Sequence, residues 1–408
     1  MRILQLCKKF PYPLKDGEAI AVSHLSRSLD ALGCEVTLLC MNTRKHYFDK
    51  NDLPQDFNHY KEIHAVEVDT DVKLGAAIAN LFSDKSYHIQ RFVSQAFEQK
   101  LTDLLRHNEY DIIQLETLYL APYIPCIRRH SKAKIAMRAH NVEHEIWDRI
   151  NQNTRLQPKK WYLKHLSTKL RRFEIAQLFE YDLMVSITQK DLDYFRGLGY
   201  KKDAVVVPIG LDHREYPPDN QSYKKDLSLS FIGSLDWMPN QEGLRWFLEN
   251  IWEKLLRRYP QLSLHVAGRN TPDWIKKIKE QNVSVYGEVP DASEFINKHS
   301  IMVVPLLSGS GMRAKVLEGM ALGKVVLTTS MGLEGVDARH KEEVLIADTV
   351  EEFIDCIDFC YRSNGQLSQI GHNARQFIST NYDNLHIAQH LLEAYKSIVG
   401  WKVEKSTK

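Results

Sequence analysis

A glycine-rich loop in the second half of the chain is followed directly by cationic side chains, a combination suited to binding phosphate. Gly309 and Gly311 let the backbone approach a ligand closely, and the N–H groups of a helix predicted to begin near Met312 attract anions. Arg313 and Lys315 lie in the first turn of this helix, where positive charge is otherwise unfavourable. Because a bound diphosphate would remove that conflict, the loop predicts a diphosphate site.

Glu318 follows one turn further along the same predicted helix, on its polar edge. From there the carboxylate is suited to accept hydrogen bonds from ribose hydroxyls. The alternative is a surface ion pair between Lys315 and Glu318, which would gain only about 0.2–0.5 kcal/mol. The residue spacing leaves both interpretations open.

Two more glycines end predicted strands in the same half of the chain. Gly233 and Ser234 follow one strand, and Gly268 and Arg269 follow the next. Ligands of open α/β sheets lie outside the carboxyl ends of the strands, where all these residues are expected. A glycine after a strand is a common turn device, but three such elements at one edge favour a ligand site.

The first half of the chain carries a second group of candidate residues. Gly17 stands just before a predicted helix, without the GxGxxG spacing of dinucleotide-binding folds, which argues against an NAD enzyme. Its backbone is suited either to approaching a phosphate or simply to entering the helix. His140 lies in a polar cluster, residues 138–144, that follows another strand, and this clustering favours a functional role.

Along the chain, short apolar runs alternate with segments of helical periodicity, and these predicted strands and helices carry the candidate residues. Runs with little alternation are typical of parallel strands buried on both faces. Helical periodicity is clear over Asn240–Arg258, with Asn240 as the predicted N-cap. The predicted strands are Ile3–Cys7, Val36–Met41, Asp111–Leu115, Lys134–Ala139, Leu183–Ile187, Val205–Ile209, Leu229–Gly233, Leu264–Gly268, Val283–Gly287, Ile301–Leu306, Lys324–Thr328 and Val344–Ala347.

Alternating strands and helices over 408 residues predict an α/β protein of two Rossmann-like, doubly wound parallel-sheet domains. We place the N-terminal domain at residues 1–209 and the C-terminal domain at 227–382. A segment rich in Pro, Asp and Asn, 210–226, is the predicted linker between them. A last helical segment occupies 383–408.

The composition excludes several other classes of protein. Lys plus Arg number 54 against 52 Asp plus Glu, so the net charge gives no support for a polyanionic partner. Six cysteines without a CxxC pair argue against a disulfide framework and a zinc site. The N-terminus lacks a signal-peptide pattern, and no apolar run approaches the roughly 20 residues of a membrane span. We therefore expect a soluble cytoplasmic protein.

Residues 155–172 combine basic side chains with an apolar stripe. Such a helix is able to lie on an anionic membrane, which would suit a lipid-linked acceptor on the inner face of the cell membrane. The alternative is a solvated helix packed on its domain, and nucleic-acid binding is disfavoured because no stacking platform accompanies the charge. The DxD patterns at Asp69–Asp71 and Asp191–Asp193 lie away from the glycine elements, so no metal site is expected.

Together these motifs resemble the retaining GT-B glycosyltransferases of family 4. The resemblance spans nearly the whole chain and is strongest over Phe231–Thr329, where FIGSLDWMPNQEGLRWF, LHVAGR, VSVYGEVPD and GSGMRAKVLEGMALGKVVLTT follow in family order. RAHNVEHEIW in the first half is similar to the acceptor-side strand end of that family. The resemblance implies two domains facing a cleft, a last helix that packs back on the first domain, and a nucleotide diphosphate sugar as co-substrate. We expect no cofactor and no required metal.

The resemblance also implies roles for individual residues. Glu318 would hold the ribose, and Arg313 and Lys315 would hold the diphosphate and take part in catalysis. Val289 would offer backbone contacts to the base, and His140 would lie near the reacting sugar. The other implied donor-binding residues are Gly17, which would cap the phosphates, Gly233, Ser234, Arg269, Ser310, Gly311, Met312 and Leu317.

The sequence departs from the family pattern in two places. The family signature is two glutamates separated by seven residues, but Ser310 stands at the first of these positions and leaves the donor sugar open. Many members carry a lysine shortly after the turn at Gly233, where this chain has Asp236–Asn240 instead. Arg313 and Lys315 are therefore the expected phosphate cations.

The expected function is transfer of a sugar from a nucleotide diphosphate sugar to an acceptor hydroxyl, with retention, in cell-surface polysaccharide or glycolipid assembly. Since no persuasive second carboxylate offers a covalent intermediate, front-face attack aided by the departing phosphate is expected. The alternatives are a nucleotide-sugar epimerase of the same fold and a non-catalytic nucleotide-sugar-binding protein, which Ser310 keeps open. Acceptor-dependent release of nucleoside diphosphate separates the transferase from both.

Overall fold

The computed structural model describes residues 1–14, 17–152, 154, 156–309 and 311–401. The chain divides into two compact units. The first unit contains Met1–Gly210 and the C-terminal segment from Asn384 onward, and the second unit contains Leu211–Asp383. Each unit is built around a parallel sheet with its own hydrophobic core.

A seven-stranded parallel sheet forms the centre of the first unit. Its strands are β1 (Arg2–Cys7), β2 (Glu35–Thr43), β3 (Glu62–Val68), β4 (Ile112–Leu115), β5 (Lys134–Ala139), β6 (Leu183–Ser186) and β7 (Asp203–Val206). Their order is β3-β2-β1-β4-β5-β6-β7. The direction of winding reverses between β1 and β4, and ligands of such sheets bind outside the carboxyl ends at this reversal.

Buried apolar side chains of the helices and the strands form two hydrophobic cores in this unit. The helices are α1 (Gly17–Ala31), α2 (Leu74–Asn80), α3 (Tyr87–Gln90), α4 (Gln95–His107), α5 (Ile124–His130), α6 (Glu143–Gln152), α7 (Gln157–Gln177) and α8 (Gln189–Gly197). Short 3-10 segments lie at Arg44–His46, Lys50–Asp52 and Leu118–Tyr123.

The second unit repeats the architecture with six parallel strands. They are β8 (Ser228–Ile232), β9 (Ser263–Ala267), β10 (Val283–Gly287), β11 (Ile301–Val304), β12 (Val325–Thr328) and β13 (Leu345–Ile346). Their order is β10-β9-β8-β11-β12-β13, with the reversal between β8 and β11. The predicted fold class, two Rossmann-like parallel-sheet α/β domains, is confirmed.

The helices of the second unit follow its strands in turn. They are α9 (Met238–Phe247), α10 (Glu253–Arg258), α11 (Asp273–Lys276), α12 (Ala292–Asn297), α13 (Ala314–Ala321), α14 (Val350–Arg362) and α15 (Asn364–Asn381), with a π-helical turn at Leu248–Trp252 and 3-10 segments at His213–Glu215 and Asn220–Lys224. The helix predicted over 240–258 thus exists as α9, the π-helical turn and α10. Asn240 is not its N-cap, since the helix begins two residues earlier and Trp237 occupies that position.

The segment predicted as the linker packs with the second unit rather than standing apart from it. Residues 211–226 belong to that unit, and Tyr223 is buried in its core. The Lys324 ammonium group holds the segment in place, because it donates hydrogen bonds to the Ser222 hydroxyl at 2.9 Å and to the Asp219 carbonyl at 2.5 Å.

The last helix, α16 (Asn384–Val399), belongs to the first unit. Leu391 and Tyr395 are completely buried with the side chains of α1 and β2. The Tyr395 hydroxyl also donates to the Gln114 side chain at 2.5 Å. Among the described residues, no helix is long and apolar enough to cross a membrane. All six cysteines are free thiols.

Candidate functional site

The carboxyl edge of the sheet in the second unit brings two predicted glycine elements together. A side chain at Gly233, just after β8, would meet the Asn240 amide at 2.8 Å and the Lys315 ammonium group at 3.3 Å. A side chain at Gly268, just after β9, would overlap the Gly233 carbonyl. Close packing against backbone therefore requires glycine at position 268, while a side chain at position 233 would displace the Asn240 and Lys315 side chains.

Lys315 lies over the turn at Gly233. Its ammonium group donates to the Asn240 side-chain oxygen at 2.7 Å and lies 5.2 Å from the centre of the Phe231 ring. Burial lowers the pKa of Lys315 to about 7, and the charge of Arg313 adds to this effect while Glu318 opposes it. The surroundings of Lys315 thus disfavour its positive charge on balance, as expected where an anion is to bind.

Arg313 occupies the N-cap position of α13, one residue before the helix. The helix was predicted to begin near Met312 with Arg313 in its first turn, but Arg313 has an extended backbone and the helix begins at Ala314. The guanidinium group donates to the Gly311 carbonyl at 2.5 Å and lies 5.6 Å from the Trp237 ring centre. Its side chain is buried at 7% exposure, so it is held in place rather than extended into solvent.

The loop before α13 depends on glycine conformations that other residues rarely adopt. Gly309 and Gly311 have φ values of +110° and +80°. A side chain at Gly309 would meet the Arg313 guanidinium at 2.9 Å. Ser310 lies outside the described residues.

Glu318 is half-buried and lies close to Tyr216. Burial raises the pKa of Glu318, while Tyr216 and Lys315 act in the opposite direction. Lys315 is bonded to Asn240, and both Lys315 and Glu318 are half-buried, which favours the site interpretation over an exposed surface pair. Tyr216 was not predicted, because it lies in the segment assigned as the linker.

A chain of hydrogen bonds joins the turns after β8 and β9. Arg269 donates to the Ser234 hydroxyl at 3.0 Å, and that hydroxyl donates to Asp236 at 2.5 Å. The Ser234 carbonyl accepts from the Asn240 amide at 2.8 Å. The hydrogen bond from Ser234 lowers the pKa of Asp236, so its carboxylate is ionised at neutral pH. The structure thus brings Gly233, Ser234, Arg269, Gly311, Arg313, Lys315 and Glu318 to one edge.

Three other predicted donor residues have a different setting. Val289 is half-buried in the loop after β10, whose last residue, Gly287, accepts a backbone hydrogen bond from Gly268 at 2.7 Å. The side chains of Met312 and Leu317 are buried at 8% and 0% exposure. Only the backbone of these two residues is suited to contacting a ligand.

In the first unit, His140 follows β5 and is anchored by a buried carboxylate. Its Nε2 lies 2.9 Å from Glu116, and Arg138 donates to the same carboxylate oxygen at 3.3 Å. Burial alone would raise the pKa of Glu116, but Arg138 and His140 outweigh it and hold the pKa at about 2. Because an ionised carboxylate only accepts hydrogen bonds, His140 carries a proton on Nε2. Glu116 was missed because nothing adjacent to it in the sequence indicates its partners.

Gly17 is the first residue of α1, and among the described residues, apart from its chain neighbours and its own helix backbone, no atom lies within 4 Å of the place where a side chain would stand. The next residue, Glu18, pairs with Lys8 at 3.2 Å and with Lys9 at 3.7 Å. Burial would raise the pKa of Glu18, but Lys8, Lys9 and His140 hold it at about 2. Glu18 therefore belongs to the same charged group as His140.

The remaining charged members of the cluster after β5 have internal partners. His144 is 1% exposed, with Nδ1 2.6 Å from Glu174 and Nε2 2.9 Å from the Tyr194 hydroxyl. Burial raises the pKa of Glu143 to about 7, and its carboxylate accepts from the Tyr119 hydroxyl at 3.0 Å. His140 is therefore the histidine of this cluster that is suited to a substrate.

The basic helix predicted over 155–172 corresponds to α7. Arg155 lies outside the described residues. Lys169 is not on the exposed face, since it is buried and donates to the Asn80 carbonyl at 2.6 Å. The Trp161 side chain is 64% exposed, and its ring stacks on His165. Among the described residues, no group of three or more His, Cys, Asp or Glu is placed to hold a metal ion.

Two parallel-sheet α/β units, with a cationic glycine-rich edge in the second, define the GT-B class of protein. The family described as Glycosyltransferase Family 4 matches residues 16–215, and that described as Glycosyl transferases group 1 matches residues 226–363. The chain belongs to the group 1, family 4 glycosyltransferases that these two descriptions cover.

Solved structures share the fold over almost the whole chain. Sucrose-phosphate synthase from Thermosynechococcus elongatus has a TM-score of 0.73 at 14% identity, covering 98% of this chain and 100% of that chain. Anabaena HepE in complex with UDP-glucose has a TM-score of 0.65 at 14% identity, covering 97% of this chain and 100% of that chain. A Klebsiella pneumoniae relative, described as an uncharacterized 44.6 kDa protein in the cps region, is 22% identical over 94% of this chain and 97% of its own length.

Proposed function

We propose that this glycosyltransferase moves a sugar from a nucleotide diphosphate sugar to an acceptor hydroxyl, with the donor bound at the carboxyl edge of the second unit. The observation that carries the proposal is the convergence of Arg313 and Lys315 on the turns at Gly233 and Gly309. Lys315 donates there to Asn240, and Arg313 donates to a backbone carbonyl. An anionic diphosphate complements this edge.

The same two cations account for rate acceleration. Negative charge grows on the leaving diphosphate as the bond to the sugar breaks, and a pre-organised cation stabilises that charge more strongly in the transition state than in the ground state. We propose that Arg313 and Lys315 supply this stabilisation in place of a metal ion. Full activity in excess EDTA is the expected result, and a loss that Mg²⁺ restores would contradict it.

The remaining donor contacts are proposed from the resemblance. Glu318 binds the ribose, and Val289 contacts the base through its backbone. Gly17 approaches the phosphates, while the turns at Gly233 and Arg269 border the sugar diphosphate. Ser310, Gly311, Met312 and Leu317 complete the proposed set.

We further propose retaining hexosyl transfer by front-face attack, with the departing phosphate accepting the acceptor proton. In this proposal His140 hydrogen-bonds the reacting sugar through Nδ1, while Glu116 fixes the proton on Nε2. The anomeric configuration of the product, followed by NMR during turnover, tests this step. An inverted product would overturn it.

UDP is the proposed nucleotide and polysaccharide assembly the proposed process. The likeness to HepE in complex with UDP-glucose supports the first, and the Klebsiella pneumoniae relative in the cps region supports the second.

The experiment that tests the function measures thermal stabilisation by UDP, GDP, ADP and their common sugars, followed by acceptor-dependent release of nucleoside diphosphate. Wild-type protein is expected to be stabilised by one nucleotide, and Arg313→Ala is expected to abolish the shift. Release that depends on an acceptor distinguishes the transferase from an epimerase and from a simple binding protein. A wild-type chain that no nucleotide stabilises would overturn the proposal.

We also propose that α7 contacts an anionic membrane carrying a lipid-linked acceptor. Trp161 is exposed on α7. Phe82 is 92% exposed and directly follows Leu81, whose backbone contacts His165 of α7. Lys159 and Lys164 supply positive charge nearby. Aromatic tips flanked by lysines favour the surface of an anionic bilayer.

Co-sedimentation with phosphatidylglycerol vesicles tests the membrane proposal. Trp161→Ala is expected to weaken binding, while Trp401→Ala, which removes another exposed tryptophan of the first unit, is the matched control. Equal binding by both variants and wild type would contradict a role for α7.

A further inference from the structure

Two glutamines interrupt the apolar runs of neighbouring strands where the winding of the first sheet reverses. Gln5 on β1 and Gln114 on β4 are direct register partners, and both side chains are buried. A buried amide costs free energy unless its polar atoms find hydrogen-bond partners, a cost that an apolar side chain would not carry. The partners of the two amides therefore indicate what the amides do.

The first partner is the Glu116 carboxylate, which both amides share. The side-chain nitrogen of Gln5 donates to Oε1 of Glu116 at 2.5 Å, and that of Gln114 donates to the same oxygen. The other oxygen, Oε2, accepts from Arg138 at 3.3 Å and lies 2.9 Å from Nε2 of His140. Because Glu116 is completely buried, these contacts take the place of solvent around both of its oxygens.

The second partner of each glutamine is a tyrosine hydroxyl. Tyr395 of α16 donates to the Gln114 side-chain oxygen at 2.5 Å, and Tyr60 donates to the Gln5 side-chain oxygen at 2.9 Å. We call Gln114 with Tyr395, and Gln5 with Tyr60, the two glutamine–tyrosine pairs. Both rings are buried in one hydrophobic core, and burial raises the pKa of both hydroxyls, so each keeps its proton and remains a donor.

The charge of Glu116 and the two hydroxyls together fix the orientation of both amides. An ionised carboxylate only accepts hydrogen bonds, so each glutamine must turn its NH2 group towards Glu116. Its side-chain oxygen then faces the tyrosine that donates to it. A flipped amide would place its oxygen against the carboxylate and leave the hydroxyl without its acceptor. The pairs therefore hold the oxygen of Glu116 that does not face His140.

We infer that the two glutamine–tyrosine pairs are positioning residues, which hold Glu116 and through it the Nε2 proton of His140 in the orientation used for sugar transfer. This inference rests on the proposed function, because it takes His140 as the residue that hydrogen-bonds the reacting sugar. It also gives the last helix a part in the site, since Tyr395 lies 281 positions from Gln114 in the sequence.

The test removes single hydroxyls from the full chain. Tyr395→Phe removes the donor of one pair, and Tyr60→Phe removes the donor of the other as an independent second variant. Tyr200→Phe is the matched control, because Tyr200 is also buried in the first unit but donates to a backbone carbonyl, that of Asp203, at 2.8 Å.

The first measurement is heteronuclear NMR of the histidine rings in the protein without substrate, with the His140 signals identified by their loss in His140→Gln. A hydrogen bond to a carboxylate moves the resonance of the Nε2 proton downfield. In both tyrosine variants this proton is expected to resonate upfield of its wild-type position, and in the control it is expected to stay there. A His140 signal that neither tyrosine variant changes would overturn the inference.

The second measurement is turnover. Each tyrosine variant is expected to lower turnover about fivefold at an unchanged donor KM, with the control like wild type. Because the pairs act through Glu116, the same substitution in a Glu116→Gln background is expected to change turnover less than about twofold. A fivefold loss that persists in that background would overturn the inference while leaving the proposed function intact. If wild type releases no nucleoside diphosphate with any acceptor, the proposed function fails, and the NMR comparison still decides whether the pairs position Glu116 and His140.

Discussion

The carboxyl edges of the two sheets carry similar numbers of cationic side chains but hold them in opposite ways. In the first unit, Arg138 and His140 share the Glu116 carboxylate, and Lys8 and Lys9 pair with Glu18. In the second unit, Lys315 donates to an amide oxygen and Arg313 to a backbone carbonyl, and each lies over an aromatic ring.

The pKa values express this difference. The pKa values of Glu116 and Glu18 are held at about 2, since nearby cations favour their charged forms. The pKa of Lys315 is instead lowered to about 7, because burial and a like charge disfavour its ammonium form. The first edge pairs its cations with carboxylates, whereas the surroundings of Lys315 at the second edge disfavour its charge, which a bound anion would favour.

The largest expected effect comes from removing a cation of the second edge. Lys315→Met keeps the length of the side chain but removes its charge, and turnover is expected to fall about 10²–10³-fold. Lys254→Met, at an exposed lysine of the same unit, is the control. Release of nucleoside diphosphate measures the effect, and turnover within twofold of wild type would remove Lys315 from the mechanism.

Removing the Glu116 charge from the first edge is expected to reduce turnover less than Lys315→Met does, but to lower stability markedly. Glu116→Gln keeps the shape but leaves Arg138 buried without its counter-charge, so unfolding is expected to become easier by about 3–5 kcal/mol at pH 7. His140 loses its orientation, and turnover is expected to fall by up to about 10²-fold while the donor KM stays unchanged.

The sign of the pH dependence follows from the lowered pKa of Glu116. The stabilisation is complete above the ordinary glutamate pKa near 4.5 and is lost as the pH falls towards about 2. Urea unfolding at pH 7 and pH 3.5 measures the gap in free energy of unfolding between wild type and Glu116→Gln, which is expected to narrow at the lower pH. Glu109→Gln is the exposed control. A gap that is the same at both pH values would contradict the ionised state of Glu116.

Nucleotide binding is expected to take up a proton near neutral pH. Lys315 is largely deprotonated above about pH 7 in the free protein and must be charged to bind diphosphate. Affinity should therefore fall as the pH rises above 7, by at most about tenfold per unit. Calorimetry in buffers of different ionisation enthalpy measures the uptake, and Lys315→Arg, which stays charged, should abolish it. Uptake that persists in this variant would assign the proton to another group.

The smallest expected effect concerns Gly17. Because open space surrounds the position of a side chain there, Gly17→Ala should leave stability the same or raise it by up to about 1 kcal/mol. If the backbone approaches a phosphate, the donor KM should still rise about threefold to tenfold, roughly 1 kcal/mol. An unchanged KM would leave Gly17 as a helix-entry glycine.

The strand pattern was readable in the sequence where burial on both faces leaves an unbroken apolar run. All six strands predicted for the second unit exist, and the six predicted for the first unit exist as six of its seven strands. The strand that was missed, β3 (Glu62–Val68), lies at the edge of its sheet, and Glu62, His64 and Glu67 interrupt its apolar residues, so it lacks that signal. The N-cap predicted at Asn240 was wrong because its amide serves the turn at Gly233 instead.

Local sequence determined the family, the two parallel-sheet units and the glycine, arginine and lysine residues of the second edge, because these depend on periodicity and on motifs within a few residues. Only the tertiary structure decided what holds those residues. Asn240 is 75 positions from Lys315, and Glu116 is 24 from His140. Such partners meet because strands and loops distant in sequence end at one sheet edge, where burial makes every charge depend on its neighbours.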